Sequence, residues 1–150
     1  MTEVLFYHLE RQPLEAVLPK LLERSLDRGW KVVVQAVTRE RVDALDSLLW
    51  TYDDQSFLPH AADSENDIGD EAIVLTTGPG NPNGANVRFL IEGAGIPSDI
   101  SAYQRVVLMF DGGDDEAVGA ARLAWKGLRT GGHDLTYWQQ SDEGRWERKA

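Results

Sequence analysis

The sequence predicts an α/β fold, with a mostly parallel sheet and helices packed on its faces. Three observations predict it. Residues 4–9 (VLFYHL) and 30–37 (WKVVVQAV) are short, nearly continuous apolar runs, the pattern of strands buried on both sides. After each run, apolar side chains recur at helical spacing. The two patterns alternate in the order β-α-β-α, which argues for parallel strands joined by helical crossovers.

The first helix carries Leu14, Val17, Leu18, Leu21, Leu22 and Leu26 on its inner stripe, and Gly29 stops it. Thr38 can cap the second helix, whose stripe is Val42, Leu45 and Leu49. Residues 50–60 (WTYDDQSFLPH) read as an aromatic-rich loop and 63–71 (DSENDIGDE) as an acidic one. A strand over 72–76 leads into the turn-rich connection 78–84 (GPGNPNG). Residues 87–91 (VRFLI) and 105–110 (RVVLMF) read as two further strands, and 111–115 (DGGDD) as a turn with a helix cap. The last long helix spans 115–130, and residues 133–139 and 145–147 return as edge strands. No repeat, linker or low-complexity segment divides the chain, so 1–150 reads as one domain.

The chain has 150 residues, 42% apolar and 27% charged, which suits a soluble domain with a real core. No apolar stretch is long enough to cross a membrane. The opening MTEVLFYHLERQ lacks a basic region followed by a long apolar run, so no secretory leader is expected. There are no cysteines, which excludes disulfides, thiol nucleophiles and thiolate metal sites, and suits the cytoplasm. The net charge of −10 makes direct binding to a nucleic-acid backbone an unfavourable expectation. That charge is uneven. The first 120 residues carry nine cationic side chains against twenty-one carboxylates, and residues 121–150 carry six against four.

Motifs for chemistry are sparse. GxxxxGK[ST] is absent, and Gly78, Gly80 and Gly84 do not form GxGxxG, so no phosphate-cradling loop is expected. His8, His60 and His133 have no metal-ligand spacing. His8 falls where the first strand ends, a place that can hold an active site, and equally suits a partly buried histidine with a hydrogen-bond partner. Asp111, Asp114 and Asp115 could hold a cation or could simply favour a helix N-terminus. A small α/β enzyme using His8 and Asp111 is therefore the alternative reading.

The last helix is the informative segment. At about 100° per residue, Ala117, Ala120, Ala124 and Leu128 share one face, suited to close packing on a sheet. Val118, Arg122, Trp125, Lys126 and Arg129 fall opposite, and no carboxylate lies among the cations. The helix dipole accounts for cations near a helix end, but not for a tryptophan on a wet face. Arginines beside an aromatic suit an acidic peptide that ends in an apolar residue and a free carboxylate. A second aromatic group, Trp50, Phe57 and Leu58, either plugs the open end of the core or faces a partner.

Several of these segments together resemble the chi subunit family of bacterial DNA polymerase III. LFYHL is similar to that family's FY start, LDSLLWTYDDQSFLPH to its LDxxLWxxxxxSFxPH segment, and ARLAWKGLR to its closing helix. The resemblance implies a single Rossmann-like three-layer domain without nucleotide chemistry, catalysis, cofactor or metal. It implies an accessory subunit that links the clamp loader to single-stranded-DNA-binding protein (SSB) by binding the acidic, phenylalanine-ended SSB tail. DNA would be reached only through SSB. The tail site maps by resemblance to Arg122, Trp125 and Lys126, with Arg129 on the same face and Phe110 and Tyr137 bordering it. Trp125 stands where the family usually has tyrosine, which keeps an apolar wall and loses a hydroxyl. The family's second surface, for the psi subunit or a competing helicase, maps to Trp50 and Phe57.

Overall fold

The computed structural model describes residues 2–10, 12–51, 58–63, 68–143 and 145–150. Its elements are β1 (Glu3–Leu9), α1 (Leu14–Asp27), β2 (Val32–Gln35), α2 (Arg39–Thr51), β3 (Ala61–Ala62), a 3-10 turn (Ile68–Asp70), β4 (Ile73–Thr76), β5 (Val87–Ile91), β6 (Arg105–Asp111), α3 (Asp115–Thr130), β7 (Asp134–Gln140) and β8 (Trp146–Arg148). They form an eight-stranded sheet in the order β3-β4-β2-β5-β6-β1-β7-β8. Neighbouring strands run parallel except β7 and β8. The α/β class read from the sequence holds.

One strand expectation needs correction, and one strand was not read from the sequence. β7 is not an edge strand: it pairs with β1 on one side and β8 on the other. The far edge is instead β3, two alanines paired with β4, which is too short to leave an apolar run in the sequence.

The helices follow their stripes. α1 buries Leu14, Val17, Leu18, Leu21 and Leu22, and α2 buries Val42, Leu45 and Leu49. α1 ends where expected, because Gly29 takes φ +79° and lets two amides turn back. Gly29 N donates to Leu26 O at 2.9 Å, and Trp30 N to Ser25 O at 3.1 Å.

Both sheet faces are covered, but by different means. α1 and α2 close one face over Leu5, Val32, Val34, Phe89 and Val107. α3 and the coil connections 77–86 and 92–104 close the other, over Val4, Phe6, Val33, Leu90 and Val106. A coil crossing a sheet leaves backbone carbonyls without ladder partners. Arg88, fully buried on β5, satisfies several of them. Its guanidinium donates to Gly78 O (2.6 Å), Gly80 O (2.8 Å), Gln35 Oε1 (2.5 Å) and the Tyr103 hydroxyl (3.0 Å). Among the described residues no carboxylate pairs with it.

Candidate functional site

α3 is placed by the turn that follows β6. Gly112 N donates to Leu9 O at 2.7 Å, drawing the turn against the end of β1. Only glycine fits there: a Cβ at 112 would lie 2.0 Å from His8 Nε2 and 2.9 Å from Leu9 O. Asp114 then caps α3, its carboxylate accepting from Glu116 N and Ala117 N. Asp111 accepts from Gly113 N at 2.8 Å within the same turn. The acidic run is thus used to start a helix. Among the described residues no group of histidines and carboxylates could hold a metal ion.

The inward face of α3 is centred on Ala121, its one buried residue, with Ala117, Val118, Ala124, Trp125 and Leu128 packed at its sides. This corrects three placements. Val118, read from the sequence on the outer face, packs against the core. Ala120 is exposed, and Trp125 is half-buried at the seam with the sheet rather than on the wet face. The physical reason is size. Alanines tolerate either orientation, whereas an indole gains much more by meeting aromatic rings. The Trp125 ring lies edge-on to Phe6, with centroids 5.3 Å apart, and 6.1 Å from Tyr137. Tyr137 also stacks on Phe6 at 6.3 Å and meets Phe110 at 6.0 Å. Trp125, Phe110 and Tyr137 therefore share one aromatic cluster, in which Phe110 is buried and the other two are half-buried.

The cations line the flank beside Trp125. At about 100° per residue, Arg129 and Arg122 come next around the helix and Lys126 lies further out. All three are exposed, and among the described residues none has an ion-pair partner. Arg122 is close enough to Tyr137 to favour ionisation of its hydroxyl. Burial has the larger effect and pushes that hydroxyl above its ordinary pKa, with Glu10 adding to the rise.

Sequence reasoning missed His133 and Leu135. Together with Trp125, Arg129 and Ala150 they line a cavity of about 350 Å³. Among the described residues His133 Nδ1 is buried without a hydrogen-bond partner. The only sequence signal was position, three residues beyond the helix end. Leu123 is also notable: it is 72% exposed on the outer face of α3.

The residues of the alternative site lie on paired strands but are not brought together: in the strand register His8 lies opposite Phe110, whereas Asp111 lies opposite Leu9. Nε2 of His8 lies 3.1 Å from Glu10 Oε1, and Nδ1 lies 2.7 Å from the Tyr137 hydroxyl. The histidine is 8% exposed, with both ring nitrogens occupied.

The second aromatic group divides. Leu58 is buried in the core, whereas Trp50 is 53% exposed near the end of α2. The Trp50 ring lies 4.5 Å from that of His60. His60 Nδ1 is 2.7 Å from Leu58 O, and Nε2 is 3.1 Å from Asp46 O, which ties this segment to α2. Phe57 lies outside the described residues. α2 and α3 pack on opposite faces of the sheet, so the two candidate surfaces are separate.

The sequence model of the family described as "DNA polymerase III chi subunit, HolC" matches residues 1–136. The chain belongs to the DNA polymerase III chi subunit family. It is 26% identical over 106 residues to a protein of Rickettsia prowazekii named as a probable DNA polymerase III subunit chi, covering 71% of this chain and 62% of that protein. It is 25% identical over 111 residues to the DNA polymerase III subunit chi of Pseudomonas aeruginosa, covering 72% of this chain and 78% of the relative. The family match includes β1, α2 and α3 and ends within β7. Among the described residues no helix is long and apolar enough to cross a membrane.

Proposed function

We propose that this chi-family chain is a non-catalytic accessory subunit of the bacterial replicative polymerase, linking the clamp loader to SSB in the cytoplasm. It binds the acidic, phenylalanine-ended SSB tail and reaches DNA only through SSB. One observation carries this reading: among the described residues Arg122, Lys126 and Arg129 lie without carboxylate partners beside the half-buried Trp125. Tail carboxylates meet the cations, and the terminal phenylalanine enters the cavity walled by Trp125 and Leu135. Exposed ion pairs contribute only about 0–1 kcal/mol each, so the aromatic contact carries much of the affinity. The cations set orientation and association rate. Several tails along SSB-coated DNA raise the effective concentration of a weak single contact. Trp50 and Phe57 serve a second partner, psi or a helicase.

Calorimetric titration with an acidic peptide ending in Pro-Phe, beside its C-terminally amidated form, tests the reading. Saturable but modest binding of the free acid, weakening on amidation, and further weakening in Arg122→Ala are expected. Equal affinity of wild type and Arg122→Ala would remove the site.

A further inference from the structure

A second cationic cluster lies on the opposite face of the sheet, at the C-terminal end of α1. We propose that the cavity there binds a nucleotide, a phosphate monoester borne on a sugar that also carries a flat, stackable base. The cavity measures about 220 Å³ and is lined by Arg24 and Arg28 from α1, Trp30 ahead of β2, Arg105 at the start of β6, and the rings of Tyr7 and Trp138. The Cζ atoms of Arg28 and Arg105 lie 5.0 and 5.1 Å from the centroid of the Trp30 ring. The two guanidiniums are therefore at most about 10 Å apart.

The α1 macrodipole accounts for Arg24 and Arg28 at a helix C-terminus. It does not account for Arg105, which comes from the sheet, meets Arg28 at the Trp30 ring and lines the same cavity as Arg24. Glu3 neutralises Arg105 through a contact at 2.5 Å. Arg24 and Arg28 have no ion-pair partner among the described residues. Three guanidiniums against one carboxylate leave an excess of two positive charges. A phosphate monoester carries about −1.5 to −2 at neutral pH and matches that excess, whereas a lone carboxylate does not. Guanidinium forks also fit phosphate oxygens. The Tyr7 hydroxyl lies inside this field: burial pushes its pKa up, and Arg105, Arg24 and Arg28 pull against that rise. Tyr7 and Trp138 supply ring surfaces on which any base can stack. The inference is independent of the tail-binding reading, because it uses other residues on the other face.

Calorimetry with dTMP at low salt tests it, with thymidine and N-acetylphenylalanine as comparison ligands. Saturable dTMP binding, at least tenfold weaker in the double variant Arg24→Gln/Arg28→Gln and unchanged in Arg122→Gln, is expected. Both α1 arginines are exposed, so the double variant should fold normally, and a urea transition checks this. A dTMP signal that never saturates, or that persists undiminished in the folded double variant, overturns the proposal. So does binding of thymidine or N-acetylphenylalanine as tight as that of dTMP. A 5′-phosphorylated thymidine tetranucleotide separates the two sources of the same chemistry. Binding of dTMP alone points to a free nucleotide; binding of the tetranucleotide equal to that of dTMP points to a strand end and would mean that DNA is not reached only through SSB.

Discussion

The two cationic clusters of this acidic chain use the same residue types in opposite arrangements. On α3, Arg122, Lys126 and Arg129 form a line along one helix flank, spanning about 10 Å of rise over seven residues. Their aromatic neighbour, Trp125, is held sideways by Phe6 and Tyr137. On the other face, arginines from α1 and β6 converge on the single ring of Trp30. A line of separated charges matches an extended chain with carboxylates at intervals. A convergent set matches one compact, multiply charged group. Net charge alone, −10 for the whole chain, hides both.

Four measurements can break or sharpen this contrast. Trp125→Ala has the largest expected effect. Truncating a half-buried indole costs about 2 kcal/mol of stability, below the usual range for a fully buried one. Tail-peptide affinity should collapse with little change in its salt dependence, while dTMP binding stays intact. An unchanged peptide isotherm would take Trp125 out of the pocket. Gly112→Ala comes next. Its Cβ runs into His8, and relieving the overlap costs about 1–3 kcal/mol in a urea transition. Because the turn aims α3, peptide affinity should fall and nucleotide affinity should not.

Arg122→Ala and Arg28→Gln form a crossed pair. Each should weaken only its own ligand, and Arg122→Ala should also flatten the salt dependence of peptide binding. Loss of both ligands in either variant would mean that the clusters are not separate. The smallest effect belongs to Arg41, which bridges Glu15 at the start of α1 and Glu92 after β5, away from both clusters. Its hydrogen bond is the main cause holding the Glu15 carboxyl below its ordinary value of 4.5. A depressed carboxyl stabilises the fold above its unfolded pKa and loses that contribution as pH falls through the folded one. Arg41→Gln should therefore cost up to about 1 kcal/mol at pH 7, fading as the pH drops below 4.5, with neither ligand affected.

Much of the fold was legible because parallel strands are apolar on both faces, as VLFYHL and VRFLI show. α1 and α2 were legible because their leucines and valines recur at one period and glycine ends the first. β3 was not legible, since two alanines carry no pattern. The orientation of α3 was only half legible. Its small residues allow several orientations, and the choice was made by Phe6 and Tyr137, 119 residues before and 12 residues after Trp125. In sequence Arg88 looks like a surface cation, because its partners are carbonyls of a distant coil. The α1 cluster was invisible for a related reason: Arg28 and Arg105 meet only because the strand order brings β6 near β2.

The glycine at 112 has an evolutionary consequence. A lineage can retune docking by exchanging cations on the open flank of α3, where replacements meet only water. It cannot do so by bending the entry to that helix, because a single methyl group at that position has no room. Drift in specificity is thereby channelled onto the helix surface, and the direction in which the helix is presented stays fixed while its charges change.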